Sequence, residues 1–140
     1  MKLRILIADD ESLERRALSS IISPLVAPGI ELVEASNGRQ AVELAGAGSF
    51  DIAFLDIRMP GMDGLGAARE LRRLCPEIHI VFVTAFDHFD YAREAIRLGV
   101  DEYLVKPASP DEIRGTVTRI ADRIVEAKLG RIQDGSTGST

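Results

Sequence analysis

Residues 52–64 read IAFLDIRMPGMDG, and this stretch indicates the fold. Its first part, Ile52–Ile57, is apolar apart from one acid, which is typical of a strand that helices cover on both faces of a parallel sheet. The Pro and Gly residues that follow predict a turn, and beyond them Leu65, Ala68 and Leu71 recur at helical spacing. The stretch therefore predicts one strand followed by one helix.

The same pattern recurs along the rest of the chain. Four further short runs are rich in Val, Ile, Leu and Phe, and segments with helical spacing of apolar residues follow them. Alternating strands and helices predict an α/β fold with a doubly wound, five-stranded parallel sheet, for which 2-1-3-4-5 is a common strand order. The additional predicted strands are Leu3–Ala8, Ile30–Ala35, Ile78–Thr84 and Glu102–Val105.

The last helix and the tail after it predict a domain boundary. Ser109 and Glu112 provide the N-cap and the capping-box acid of the last helix. The helical pattern fails after Leu129, and the chain ends in DGSTGST, which has no apolar side chain to bury. We therefore expect one domain over residues 1–129 and a flexible linker or tag over residues 130–140.

Composition excludes several classes of protein. The 140 residues carry a net charge of −5, which disfavours direct binding of this chain to nucleic acid. A lone cysteine, Cys75, cannot form an internal disulfide, and the short apolar run at the start fits neither a signal peptide nor a membrane span, so we expect a cytoplasmic protein. Arg69, Arg72 and Arg73 are expected to form a solvated helix face.

Polar residues follow four of the predicted strands, at the edge of the sheet where open α/β folds bind ligands. Asp9 and Asp10 follow strand 1, Asp56 follows strand 3, Thr84 follows strand 4 and Lys106 follows strand 5. Converging carboxylates repel one another unless a cation lies among them. Oxygen ligands of this kind suit Mg²⁺, which keeps a position for a phosphate. The sequence therefore predicts a magnesium site that accepts a phosphoryl group.

Asp56 is the best candidate for a nucleophile at this site. A carboxylate beside Mg²⁺ and Lys106 can attack phosphorus and form an aspartyl phosphate, because the cations offset the charge on the phosphoryl oxygens. Thr84 has a hydroxyl that can donate a hydrogen bond to these oxygens.

Four motifs in this order resemble the receiver domains of two-component response regulators. They are ILIADDE at 5–11, FLDIRMPGMDG at 54–64, VTA at 83–85 and YLVKP at 103–107, and the resemblance covers residues 2–126. It implies the CheY-like (βα)5 fold and a signalling module that catalyses only its own phosphorylation and dephosphorylation.

The resemblance also implies roles for individual residues. Asp56 is the phosphoacceptor, and Thr84 and Tyr103 are the residues that respond to phosphorylation. The peptide bond before Pro107 is expected to be cis. The Mg²⁺ ligands are expected from Asp9, Asp10, Asp56 and the Arg58 carbonyl, and the phosphoryl-binding residues are expected to be Thr84, Ala85 and Lys106.

The partners implied by the family are a sensor histidine kinase and, after phosphorylation, a second copy of the chain that binds through helix 4, strand 5 and helix 5. Residues 86–99 resemble a subgroup whose receivers precede AraC-type helix-turn-helix domains, so a C-terminal DNA-binding domain outside these 140 residues is expected. In this family the residues at positions 58 and 86 control how fast water removes the phosphoryl group. Because Phe86 is apolar and offers water no hydrogen bond, we expect slow loss, as suits a regulator of transcription.

Two other functions fit parts of this pattern. A phosphatase of the haloacid dehalogenase type also uses an aspartyl nucleophile with Mg²⁺, but it requires a second Asp two residues later, where this chain has Arg58. A flavodoxin-like module has the same fold class, and fold alone does not fix function. Its phosphate loop after strand 1 is rich in Ser, Thr and Gly, whereas Asp9, Asp10 and Glu11 occupy that place here.

Overall fold

The computed structural model describes residues 2–25, 29–86 and 88–137. Five parallel strands form one sheet in the order β2-β1-β3-β4-β5, which confirms the predicted fold class and strand order. The strands are β1 (Leu3–Ala8), β2 (Ile30–Ala35), β3 (Ile52–Leu55), β4 (His79–Thr84) and β5 (Glu102–Val105). The helices are α1 (Ser12–Ile22), α2 (Gly38–Ala47), α3 (Gly64–Leu74), α4 (Phe89–Arg97) and α5 (Pro110–Thr137).

Helices cover both faces of the sheet, and this explains the nearly continuous apolar runs. Along β3, Ala53 and Leu55 pack in the core beneath α2 and α3, whereas Ile52 and Phe54 pack in the core beneath α1 and α5. All four residues are buried, because successive side chains of a strand point to opposite faces.

The start of α3 lies directly against the end of β3. The Gly64 amide donates a hydrogen bond of 2.7 Å to the Ile57 carbonyl, and a Cβ on Gly64 would lie 2.1 Å from the Asp56 carbonyl oxygen. Asp63 caps the helix by accepting a hydrogen bond of 2.8 Å from the Gly66 amide. Only glycine fits this close approach, so Gly64 helps to fix the backbone of Asp56.

The last helix begins as predicted and continues further than expected. Ser109 and Glu112 form the reciprocal capping box, with both hydrogen bonds at 3.1 Å. The structure continues α5 to Thr137, although the sequence predicts a linker from residue 130. An established helix extends at little cost, because each added residue gains a hydrogen bond. Residues 138–140 lie outside the described part, and the role of the segment as a linker or tag stays a prediction.

Within the described residues, every helix is either too short or too polar to cross a membrane.

Candidate functional site

Four strand ends meet at one edge of the sheet and bring the predicted polar residues together. The carboxylates of Asp9, Asp10 and Asp56, here called the acidic cluster, have oxygen atoms within 4.8 Å of one another. Asp9 and Asp56 are buried, and Asp10 is exposed. Because β1 and β3 are neighbours, their ends place Asp9 and Asp56 side by side, as the sequence predicts.

Lys106 binds the two buried carboxylates. Its Nζ lies 3.0 Å from Asp9 Oδ2 and 3.0 Å from Asp56 Oδ2, and 3.7 Å from Glu14 Oε2 on α1. Burial by itself would lower the pKa of Lys106, but the hydrogen bonds to Asp9 and Asp56 hold this pKa above its usual range. Lys106 is therefore a permanent positive charge at the site. Glu14 belongs to none of the sequence motifs, but it lies in the first turn of α1, four residues after Asp10.

Burial raises the pKa of the Asp9 carboxyl above its usual range. A hydrogen bond of 2.9 Å from the Glu11 amide and the nearby Lys106 lower that pKa, but they do not offset the burial. The negative charge on Asp9 is thus unfavourable in the folded protein until a further cation approaches.

The donor set fits a hard divalent cation. The acidic cluster offers three carboxylates against the one ammonium of Lys106, so a divalent ion would balance the remaining charge. Carboxylate oxygens are the ligands that Mg²⁺ prefers. The Arg58 amide donates a hydrogen bond of 3.3 Å to Asp56 Oδ1, which places this backbone beside the cluster. The role of the Arg58 carbonyl as a further ligand stays a prediction.

The other half of the site is here called the switch side and consists of Thr84, Phe86, Tyr103 and α4. The buried Thr84 hydroxyl oxygen accepts a hydrogen bond of 3.3 Å from the Phe86 amide. The Tyr103 hydroxyl donates a hydrogen bond to the Phe86 carbonyl. Phe86 therefore links the two residues that the resemblance assigns to the switch, which the sequence did not indicate. Ala85, the remaining predicted phosphoryl-binding residue, is exposed between β4 and Phe86.

A stacked pair connects the two halves of the site. The guanidinium carbon of Arg58 lies 4.4 Å from the centre of the Phe86 ring, which is the geometry of a cation–π contact. The resemblance implies that both residues lie near the phosphoacceptor, but the sequence does not predict that they touch. The peptide bond between Lys106 and Pro107 is cis, as the resemblance implies.

Comparisons with known proteins find relatives that cover most of this chain. The sequence profile of the response regulator receiver domain matches residues 5–118. The chain is 39% identical over 116 residues to the regulatory protein AtoC of Escherichia coli, covering 83% of this chain and 24% of that protein. It is 33% identical over 118 residues to the uncharacterized transcriptional regulatory protein YesN of Bacillus subtilis, covering 84% and 32%. The chain thus spans about a quarter to a third of these relatives.

A similar solved structure is the REC domain of AraT, a response regulator from Geobacillus stearothermophilus. It is 38% identical in sequence and superposes with a TM-score of 0.83, covering 91% of this chain and 99% of that domain.

Proposed function

Because the chain belongs to the family of response regulator receiver domains, we propose that it accepts a phosphoryl group on Asp56 and so controls an output, most directly transcription. The observation that carries this proposal is the buried Asp56 carboxylate, whose Oδ2 lies 3.0 Å from Lys106 Nζ beside two further acids. The alternatives receive no comparable support, because Arg58 stands where a dehalogenase-type phosphatase needs its second Asp and acids occupy the place of a flavodoxin phosphate loop.

The reaction is an in-line phosphoryl transfer. An Asp56 carboxylate oxygen forms a bond to phosphorus while the bond from phosphorus to a histidine nitrogen of the kinase, or to the acyl oxygen of a small donor, breaks. Lys106 offsets charge on the phosphoryl oxygens, and Thr84 and Ala85 bind these oxygens. A Mg²⁺ ion, when bound by Asp9, Asp10, Asp56 and the Arg58 carbonyl, supplies positive charge at the same oxygens.

The partners follow from this chemistry. A sensor histidine kinase donates the phosphoryl group, and a C-terminal DNA-binding domain beyond this chain responds to it. The AraC-type subgroup of that domain and a cytoplasmic location stay predictions. We also propose a phosphorylation-dependent homodimer through α4, β5 and α5. Its support is the set of large apolar side chains that this surface leaves exposed, namely Phe89, Ile96 and Val105.

Intact-mass spectrometry with acetyl phosphate and Mg²⁺ tests the phosphoacceptor. We expect one phosphoryl adduct on the wild type and none on Asp56→Asn. Asp122→Asn is the matched control, because it removes an equal charge from an exposed position on α5. An adduct of equal yield on Asp56→Asn would refute the assignment.

Sedimentation with and without beryllium fluoride, a phosphoryl mimic, tests the homodimer. We expect a monomer that becomes a dimer with the mimic, and we expect Ile96→Asp to block the change. Leu13→Asp on α1 is the control, because Leu13 is 74% exposed and Ile96 is 77% exposed. A monomer in both states of the wild type would contradict the proposed dimer.

A further inference from the structure

Arg15 on α1 joins the acidic loop to the neighbouring strand. Its Nη1 donates a hydrogen bond of 2.7 Å to the carbonyl oxygen of Asp9, and its Nε lies 3.0 Å from Glu34 Oε1 near the end of β2. The Arg15 side chain is only 17% exposed, although it carries a full charge. Neither the motifs nor the strand ends pointed to Arg15, because it lies one and a half helical turns beyond the acids.

The carbonyl that Arg15 contacts belongs to the peptide group between Asp9 and Asp10. The Asp9 amide donates a hydrogen bond of 3.1 Å to the Ala35 carbonyl. Together with the bond from Arg15 to the Asp9 carbonyl, both backbone polar groups of Asp9 are held. In the part of the chain that the structure describes, no hydrogen bond or ion pair holds the Asp10 side chain, so the direction of its carboxylate depends on this peptide group.

We propose that Arg15 is a positioning residue for the cation site: it fixes the Asp9–Asp10 peptide group so that both carboxylates face one metal ion. The inference rests on the proposed function, since the ion is the Mg²⁺ of the phosphorylation site. Glu34 in turn orients the guanidinium. Arginine suits this role because its planar fork donates in two directions at once, which a lysine ammonium on a flexible stem does not reproduce.

Charge and geometry predict opposite effects when Arg15 is removed. A positive charge near an acidic site repels a cation, so its loss by itself would tighten Mg²⁺ binding. Loss of the fixed peptide group would weaken Mg²⁺ binding, because the free protein then has to order its ligands. The sign of the change in affinity therefore distinguishes a positioning role from a simple electrostatic one.

Calorimetric titration with MgCl₂ alone tests the role of Arg15. The titration is run well below the unfolding temperature of each variant. We expect Arg15→Ala to raise the Kd for Mg²⁺ about tenfold. This lies within the range seen when a residue that hydrogen-bonds to a metal ligand is lost. Arg15→Lys keeps the net charge, and we expect a rise of about the same size. Arg16→Ala is the matched control, because it removes the same charge from the next, exposed position of α1. We expect its Kd to be unchanged or slightly lower.

Each outcome decides the question. Unchanged or tighter Mg²⁺ binding in Arg15→Ala and Arg15→Lys would overturn the role of Arg15, while Mg²⁺ binding by the wild type leaves the proposed function intact. Absence of Mg²⁺ binding by the wild type would overturn both. If Arg15→Ala does not fold, Arg15→Lys decides alone. A merely structural role would lower the melting temperature of the metal-free variants without changing the Kd of the folded protein.

Discussion

The acidic cluster and the switch side occupy the same edge of the sheet, yet the elements beside them are held very differently. Next to the acidic cluster, α3 buries Leu65, Ala67, Ala68 and Leu71 along one face. On the switch side, α4 buries only Ala95 among its described residues and leaves Phe89 and Ile96 exposed. The carboxylates of the acidic cluster therefore lie beside a firmly packed helix, whereas α4 buries little and is the element that we expect to change if a phosphoryl group binds.

Hydrogen exchange measures this difference directly, and here we expect the largest effect. After correction for intrinsic rates, the Ala95 amide of α4 should exchange about 1000-fold faster than the Leu71 amide of α3, because helices with few buried contacts open locally at low cost. Both residues are buried within their helices, so exposure does not explain a difference. Equal protection of the two amides would remove the basis of the comparison.

Removal of one of the proposed metal ligands should affect the acidic cluster alone. We expect Asp10→Ala to weaken Mg²⁺ binding about 100-fold. This is the upper end of the losses seen when a residue that hydrogen-bonds to a metal ligand is removed, because here a charged ligand is itself removed. Glu11→Ala is the control, since it removes an equal charge from the adjacent exposed residue. Calorimetry gives the affinities, and exchange of the α4 amides should not change. Similar affinities for the two variants would refute the ligand role of Asp10.

The sequence predicts the fold and the acidic cluster because both follow from simple patterns. Continuous apolar runs require burial on both faces, and parallel strands place their final residues at one edge. The positions of Asp9, Asp56 and Lys106 are consequences of these two facts. The capping box of α5 is equally local, and the structure confirms it.

The contacts missed by the sequence analysis depend on how long side chains and distant backbone groups meet. Arg72 was predicted to lie on a solvated face, but its guanidinium donates to the carbonyl oxygens of Ile78 and Gly99. Arg15 likewise donates to a backbone carbonyl, and the backbone amide and carbonyl of Phe86 contact the side chains of Thr84 and Tyr103. Backbone atoms carry no signature of their own in a sequence. Such contacts follow from the three-dimensional path of the loops and not from residue type or spacing.

The stacked pair of Arg58 and Phe86 bridges the two halves, and we expect it to set the lifetime of the phosphoryl group. Phe86→Asn should speed loss of the group about tenfold, which corresponds to about 1.4 kcal/mol in the barrier. In this variant no ring covers the path of water to the phosphorus atom, and the side-chain amide of the new Asn can orient a water molecule. Decay of the phosphorylated protein after removal of the donor gives the rate.

A second variant shows whether the two residues act together. Arg58→Ala should also speed the loss, and the double variant should lose the group no faster than Phe86→Asn, because contacting residues are not additive. Phe89→Asn is the control, because Phe89 also lies near an arginine. The guanidinium carbon of Arg93 is 5.6 Å from the centre of the Phe89 ring. Equal decay of Phe86→Asn and wild type would show that the ring does not shield the bond.

The smallest expected effect is on stability, and its sign follows from the pKa of Asp9. Because burial raises this pKa, the folded state holds the proton more tightly than the unfolded state does. The free energy of unfolding therefore falls as the pH rises through the pKa of Asp9 in the folded protein. Asp9→Asn removes the charge and keeps an oxygen that accepts from Lys106. We expect it to raise the free energy of unfolding at pH 7 in the absence of Mg²⁺.

Urea unfolding at several pH values checks this expectation. The higher free energy of unfolding of Asp9→Asn should vanish below about pH 4, where the wild-type carboxyl is protonated in both the folded and the unfolded state. It should reverse at pH 7 when Mg²⁺ is added, since a ligand at 100 times its Kd stabilises the wild type by about 2.7 kcal/mol and the variant has lost a ligand. Asp10→Asn is the control, because it removes the same charge from the adjacent residue, which is exposed. A metal-free Asp9→Asn protein that is less stable than wild type at pH 7 would mean that the ion pair with Lys106 outweighs the burial of Asp9, and the acidic cluster would then be stable without its metal.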